Sequence, residues 1–216
     1  MERMIFAHVQ SVICASPSLI QVGLLLAAYE YACGRPEMAL ISVATCSRMA
    51  QSIGIDKGSR IGSAQQCLGE RIRGTPEERN IWWGVVVLER IVLCEVPHRN
   101  LRPTTEYPGK NAPLPSDLIP FQKQEEHISS HERCNTPPLS AIQAQNVSSF
   151  GRRAQAVCLL DQVLNTINSP PGVVLDFLEL EKLDRKILSF LEVILRRVNT
   201  AYFPSIAFFL SFFFSF

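Results

Sequence analysis

The sequence has almost no net charge, although it is long enough for a folded protein. Its 21 lysines and arginines nearly balance 20 aspartates and glutamates. Because proteins that bind nucleic acid rely on a dense basic surface, this balance argues against direct binding of DNA or RNA by this chain. The 216 residues are 47% hydrophobic, so the chain also lacks the low hydrophobicity and high net charge that are typical of disordered proteins. The chain is therefore expected to form one folded unit, or two.

The sequence also lacks closely spaced cysteines. Its seven cysteines are never nearer than 13 residues to one another, so they form no CxxC motif, zinc ribbon or small disulfide framework. Several fall in apolar helical segments, where a free cysteine acts as a small hydrophobic residue. We expect a reducing compartment. A signal peptide is not expected, since Glu2, His8 and Gln10 interrupt the apolar N-terminal stretch.

Catalytic and metal-binding signatures are missing too. The chain contains no G-x-S-x-G, H-E-x-x-H or P-loop motif, so the sequence predicts no enzyme, no catalytic residue and no cofactor site. His127, His131 and Cys134 have the spacing H-x3-H-x2-C on a helix, but they stand in a proline-rich stretch without a fourth ligand. We therefore expect a solvated polar segment there and no metal.

Arginines cluster in one glycine-containing stretch. Arg71, Arg73 and Arg79 have charges suited to phosphate, but no strand and no P-loop motif precede them, so a solvated loop is the expectation. The pairs Arg152-Arg153 and Arg196-Arg197 are too short to form a basic arm.

Hydrophobic periodicity predicts an all-α chain of packed antiparallel helices, without βαβ alternation. The apolar run from Leu19 to Cys33 is too short for a membrane span and predicts a buried helix. Gly34-Arg35-Pro36 then indicates an αα-hairpin, because glycine ends a helix and proline begins one. The second helix is expected from about Glu37 to Ser52, stopping at Gly54.

The clearest helix start follows a glycine-rich loop. Thr75, Pro76 and Glu78 form the pattern of a capping box, and the helix should run to about Val96. Eight prolines between Pro97 and Pro138 then exclude regular structure over most of that stretch. Helical patterns resume around residue 140 and again over 174–198.

Three residues of the capped helix are assigned a structural role. Trp82 and Trp83 lie about 100° apart on one helix, so they can pack against two neighbouring helices. Arg90 stands among apolar residues, so once buried it needs a partner, and a carboxylate of this chain is the expected one. The alternative, a ligand-binding role for these residues, remains open.

Four segments occur in an order and spacing that resemble a known family. They are Leu24–Tyr31 with the turn after it, Ser47–Asp56, Glu77–Trp83 followed by Leu88-Glu89-Arg90, and Ala112–Asp117. Together they are similar to the fungal-specific transcription factor domain, the middle homology region of fungal zinc-cluster regulators. The third segment is close to the family's E-x-x-R-R-x-W-W and L-D-R. Asn80 stands where the family has arginine, and Glu89 where it has aspartate.

The resemblance implies an all-helical, non-catalytic regulatory domain of a nuclear transcription regulator. Its expected partners are other transcription regulators or the transcription machinery, and a small-molecule effector. DNA binding and zinc belong, in the family, to a six-cysteine cluster that this chain does not contain. Two alternatives stay open: a truncated, non-DNA-binding partner of a full-length regulator, and an unrelated helical protein with a C-terminal membrane anchor.

The resulting organisation has four parts. Residues 1–120 form a helical block like the regulatory domain, 121–139 a proline-rich polar linker, 140–200 two further helices, and 201–216 a tail. The tail carries seven of the 12 phenylalanines within the last 14 positions. Its interpretations are a core helix of a larger domain, translated non-homologous sequence, or an anchor, although Pro204 and its length disfavour a membrane span. We expect an incomplete regulatory domain without membrane association.

Overall fold

The computed structural model describes residues 14–55, 75–96, 101–116, 136–167 and 177–200, with the side chains of the last range described to residue 196. Over these ranges the chain is all-α, as predicted, and contains five helices. They are α1 Pro17–Ala32, α2 Pro36–Ser52, α3 Pro76–Glu95, α4 Ser149–Ile167 and α5 Phe177–Thr200. The only pairing of strand type in the described ranges is an isolated antiparallel bridge between Pro113 and Pro138.

Helices α1 and α2 form the predicted αα-hairpin. The Ser16 hydroxyl accepts a hydrogen bond from the Leu19 amide at 3.2 Å and caps α1, whose first residue is a proline. Gly34 has a φ of 69°, a left-handed conformation that glycine adopts without steric cost. Pro36 begins α2, and Gly54, with a φ of 80°, follows its end.

Helix α3 begins with the predicted capping box. The Glu78 amide donates to the Thr75 hydroxyl at 3.1 Å, and the Thr75 amide donates to the Glu78 carboxylate at 2.7 Å. These bonds satisfy amide and hydroxyl groups that the first turn of a helix otherwise leaves to water. The helix begins at Pro76, directly after the predicted cap Thr75. It ends at Glu95, one residue before the predicted end at about Val96, so both predicted ends are confirmed.

One hydrophobic core joins α1, α2, α3, α4 and the irregular segment 101–116. Trp82 and Trp83 are both buried in it, so the predicted core role of the two tryptophans is confirmed. The Trp83 indole N–H donates to the Pro113 carbonyl at 3.0 Å, and its ring meets Tyr107 edge-on with 6.1 Å between centroids. Other members of this core are Ile20, Cys46, Leu114 and Val157.

Asn80 anchors the end of segment 101–116. Its side-chain amide donates to the Ser116 carbonyl at 2.7 Å, and its side-chain oxygen accepts from the Ser116 amide at 3.1 Å. Asn80 thus binds both backbone groups of one residue. This holds the irregular segment against the second turn of α3.

Helix α4 begins later than the sequence predicts. A helical pattern was expected from about residue 140, but residues 139–148 form turns and α4 starts at Ser149. Arg152 donates to the Ile142 carbonyl at 2.6 Å and to the Ala144 carbonyl, and Gln155 donates to the Ala141 carbonyl at 3.1 Å. Because side chains of α4 bind carbonyls of the preceding segment, that segment is held in turns and is not helical.

Helix α5 packs on α4 through a smaller apolar cluster that includes Leu159, Leu183 and Phe190. It was expected over 174–198 and is seen over Phe177–Thr200, with residues 168–176 outside the described ranges. No helix within the described ranges is both long and apolar enough to cross a lipid bilayer.

The predicted division into parts stays a prediction. The linker 121–139 lies outside the described residues apart from 136–139, and the tail 201–216 lies wholly outside them. The described residues before and after the linker share one core, since Val86 of α3 and Val157 of α4 belong to the same cluster.

Candidate functional site

The most unusual feature of the described residues is an acid and a base that stand side by side in the core. Glu89 and Arg90 of α3 are only 0% and 2% exposed. A charge buried at this depth is costly unless hydrogen bonds and an opposite charge compensate it. The geometry around the pair provides both.

Arg90 uses all three nitrogens of its guanidinium. Nε donates to the Asp161 carboxylate of α4 at 2.7 Å, and Nη1 donates to Glu89 at 2.7 Å. Nη1 also donates to the Thr105 hydroxyl at 2.8 Å, and Nη2 donates to the Thr105 carbonyl at 2.8 Å. The prediction that Arg90 pairs with a carboxylate of this chain is confirmed, with two carboxylates in place of one.

Glu89 accepts hydrogen bonds at both carboxylate oxygens. Oε1 accepts from the Thr104 amide at 2.7 Å and the Thr104 hydroxyl at 2.5 Å. Oε2 accepts from the Thr105 amide at 3.1 Å and the Thr105 hydroxyl at 2.5 Å, in addition to Arg90. Thr104 and Thr105, two consecutive residues of segment 101–116, therefore each donate a backbone amide and a hydroxyl hydrogen bond to the Glu89 carboxylate.

Tyr107 closes the network from one side. The guanidinium carbon of Arg90 lies 5.8 Å from the centre of the Tyr107 ring, a cation–π distance. The Tyr107 hydroxyl donates to the Ala154 carbonyl of α4 at 2.9 Å. Burial raises the pKa of Tyr107, and the neighbouring Cys158 and Asp161 raise it further, so the phenol stays protonated and remains a donor.

Chemically, this network is a closed clamp. Every oxygen of the Glu89 carboxylate already accepts hydrogen bonds, so the group has no open position from which to take a proton from a substrate. The arrangement has a structural role, because its hydrogen bonds and ion pairs connect α3 to segment 101–116 and to α4. We name this set the Glu89–Arg90 clamp and define it by Glu89, Arg90, Thr104, Thr105 and Asp161.

A second feature is an apolar surface on the α1–α2 hairpin. Val22, Leu25 and Tyr29 follow one another at helical spacing on the outer side of α1, and Val22 and Leu25 are 53% and 72% exposed. Ile41 of α2 is exposed as well. We name Val22, Leu25 and Tyr29 the hairpin face.

The inner side of the hairpin is held by a polar contact. Buried Glu30 of α1 accepts a hydrogen bond from the Ser42 hydroxyl of α2 at 2.7 Å, beside apolar contacts of α1 with the core. Helix α1 is thus apolar on its exposed side as well as on its packed side. Exposed apolar residues grouped in this way are typical of a surface that contacts another protein.

The residues weighed as metal or phosphate ligands fall mostly outside the described ranges. His127, His131 and Cys134 lie there, as do Arg71 and Arg73. Within the described part of the chain, no group of three or more histidine, cysteine or acidic side chains is placed to hold a metal ion.

Two further arginines, Arg79 and Arg152, have defined surroundings. Arg79 is half-buried on the first turns of α3, and its Nη1 has no hydrogen-bond partner among the described residues. Arg152 points into the protein and binds backbone carbonyls, as described above, so it belongs to no basic arm.

The cysteines differ in exposure. Cys14, Cys33 and Cys94 are exposed free thiols, whereas Cys46 is buried in the core. Burial raises the pKa of the Cys46 thiol to about 12, so this cysteine stays neutral at physiological pH. It acts there as a small apolar residue, as the sequence predicts.

Sequence reasoning identified Arg90 but missed the rest of the clamp. Thr104 and Thr105 lie in a stretch without periodicity, where nothing local marks them as ligands of a buried charge. Asp161 carried one usable signal, since it is the only acidic residue in α4.

Comparison with known proteins gives no match: no protein-family model, no curated protein and no solved structure is similar to this chain. The likeness of residues 19–117 to the fungal regulatory domain therefore rests on the motifs alone and stays a prediction.

Proposed function

We propose that this chain is a non-catalytic regulatory unit of a nuclear transcription regulator, and that it acts by binding another protein. The observation that carries the proposal is the role of the motif residues. Glu78 caps α3, Trp82 and Trp83 fill the core, and Glu89 and Arg90 build the clamp. The residues that resemble the fungal regulatory domain thus stabilise the fold, and the folded chain serves as a scaffold for a contact surface.

The proposed contact surface is the hairpin face. A scaffold that presents Val22, Leu25 and Tyr29 to water has an apolar surface that another protein can cover. The proposed partner class is another transcription regulator or a component of the transcription machinery. Contact with DNA, and the zinc that serves it, would be contributed by that partner.

The test is a tethering experiment in a fungal reporter strain. The full chain is fused to an unrelated DNA-binding domain, and transcription of the reporter is measured. We expect the fusion to change transcription at least several-fold, and we expect Leu25→Glu to abolish the change, because a carboxylate at the centre of an apolar contact is costly to desolvate.

Leu178→Glu is the matched control. It makes the same chemical change at an exposed leucine on α5, outside the hairpin face. A fusion without effect on transcription would contradict a regulatory role, and equal losses from the two variants would contradict the assignment to the hairpin face. Equal thermal stability of both variants and the original chain must accompany the comparison.

A further inference from the structure

Helix α5 carries an apolar surface that α4 covers only in part. Leu183 and Phe190 are buried in the cluster that α5 forms with α4. Leu188, Leu191 and Leu195 of the same helix remain 58%, 47% and 60% exposed. These exposed leucines are spaced at three and four residues, so they form one continuous stripe, which faces about 100° away from the buried side. We name these three residues the α5 stripe.

Two ion pairs line the edge of the α5 stripe that points away from α4. Arg185 contacts Glu181 at 2.6 Å, and Arg196 contacts Glu192 at 2.6 Å. All four side chains are at least 43% exposed, so each can accept a further partner. With about 100° of rotation per residue, Arg185 and Glu192 lie on the same edge, a base near the start of the stripe and an acid near its end.

We propose that α5 pairs with α5 of a second copy of this chain, with the two helices antiparallel. In this pair the leucines interdigitate, so that Leu188 of each copy packs on Leu191 of the other. A two-fold axis relates the copies, so every contact occurs twice and each stripe covers the other. The exposed leucines of both copies leave water together, and this drives the association.

Charge complementarity favours this partner and this direction. When Leu188 of one copy meets Leu191 of the other, Arg185 of the first lies about 3 Å along the helix axis from Glu192 of the second, on the same side of the contact. The two-fold axis repeats this pair, so two arginine–glutamate pairs form between the copies. In a parallel pair Arg185 would lie near Leu180 and Glu192 near Ile187, without opposite charges.

The same charges fix the register of the two helices. If the antiparallel helices shifted by one leucine, so that Leu191 met Leu195, the two Glu192 carboxylates would lie beside each other. Like charges in that position disfavour the shifted contact. The complementary arrangement of one base and one acid along the stripe is therefore specific to one antiparallel register of two identical helices.

Asp184 limits the length of the apolar contact. It is exposed and lies in line with the stripe, four positions before Leu188. In the antiparallel pair it faces Leu195 of the other copy at the rim, where the carboxylate keeps its contact with water. An interface of two short helix faces is at the low end of the sizes that give stable complexes, so the dimer is expected to be weak.

The test is sedimentation equilibrium of the full chain from about 1 to about 500 µM, the range in which small interfaces associate. We expect the average mass to rise from that of one chain towards that of two. Leu191→Glu should raise the dissociation constant at least about ten-fold, because each dimer would have to desolvate two carboxylates. Leu25→Glu makes the same change on the hairpin face and should leave the dissociation constant unchanged. Thermal melting at the lowest concentration checks that both variants are folded.

Charge reversals test the direction of the helices. Arg185→Glu alone and Glu192→Arg alone should each raise the dissociation constant at least about five-fold, because each places two like-charged contacts between the copies. The double variant restores opposite charges between the copies and should return to within about two-fold of the original chain. It leaves like charges at both ion pairs within each copy, so the recovery reports only on the contact between copies.

Removal of the acid at the rim should have the opposite effect. Asp184→Leu extends the α5 stripe by one leucine at each end of the contact, so the dissociation constant should fall at least about five-fold. An unchanged or weaker dimer in this variant would contradict the proposed register.

Three other outcomes would overturn the proposal. A chain that stays monomeric over the whole concentration range would show that the α5 stripe does not bind a second copy. A dimer that Leu25→Glu abolishes and Leu191→Glu leaves intact would place the contact on the hairpin face. A double charge reversal without recovery would contradict the antiparallel pairing. Each of these results leaves the proposed regulatory function to the tethering experiment.

Discussion

Replacement of Arg90 by methionine is the most direct test of the Glu89–Arg90 clamp. Methionine fills a similar volume but cannot donate, so Glu89, Thr105 and Asp161 lose four hydrogen bonds. The two carboxylates then stay in or near the core without their counter-charge, since the Asp161 side chain is only 15% exposed. Breaking a buried pair in this way costs about 3–5 kcal/mol. For a chain of this size, that lowers the melting temperature by about 6–20 °C.

The matched control is Arg185→Met on α5. Arg185 makes an ion pair with Glu181 at 2.6 Å, but its side chain is 74% exposed, so the pair contributes only about 0.5 kcal/mol. Both variants are compared by urea denaturation and by thermal melting. If Arg90→Met and Arg185→Met had the same stability, the reasoning about the clamp would be refuted.

A double-mutant cycle makes the test more specific. Glu89→Gln removes the negative charge and keeps one carbonyl oxygen for the threonines. Because Glu89 and Arg90 contact each other, the double variant should lose at least about 1 kcal/mol less than the sum of the two single losses. Additive losses would mean that the two side chains do not act as a pair.

Four other substitutions test the packing of the protein. Trp83→Ala should cost about 3–5 kcal/mol in a denaturation experiment, through the cavity it leaves, and an unchanged melting temperature would contradict its place in the core. Gly151→Ala should cost about 1–3 kcal/mol, because the new Cβ would lie 2.8 Å from Val147 and 3.2 Å from the Pro115 carbonyl. Gly109→Ala has no neighbour within 4 Å, and its melting temperature should not change. The raised pKa of Cys46 means that the folded state holds the proton more tightly than the unfolded state, whose thiol has its ordinary pKa of 9.0. Stability from this group is complete below pH 9 and falls between pH 9 and about 12, by about 1.4 kcal/mol per pH unit, so a cysteine-to-alanine variant at position 46 should melt with a shallower alkaline decline.

Predictions made from short-range patterns succeeded for the helices. The C-terminal ends of α1 and α2 and the start of α3 depend on local backbone geometry and on hydrogen bonds between residues three or four positions apart, so Gly34, Gly54 and Thr75 mark them locally. The start of α4 failed for the opposite reason. Carbonyls before it are bound by Arg152 and Gln155, whose side chains reach back from the helix, and periodicity does not register such contacts.

The candidate site shows the same limit. Arg90 was recognisable because a charge in an apolar helix requires a partner wherever the chain brings one. That the partners are Glu89, Thr105 and Asp161 depends on how segment 101–116 and α4 approach α3. Asp161 lies 71 positions away along the chain, beyond the reach of any local pattern.

The helical periodicity, the glycine and proline turns and the capping pattern determine an all-α chain with its helix ends and with a buried arginine in need of a counter-charge. These features act within one or two helical turns or through composition, so they are readable from the sequence alone. Tertiary structure alone decided which carboxylates meet the arginine, and which apolar sides of α1 and α5 are covered and which remain exposed. The reason is physical: an apolar side chain has the same tendency to leave water wherever it stands, and only packing between distant segments selects the surface that covers it.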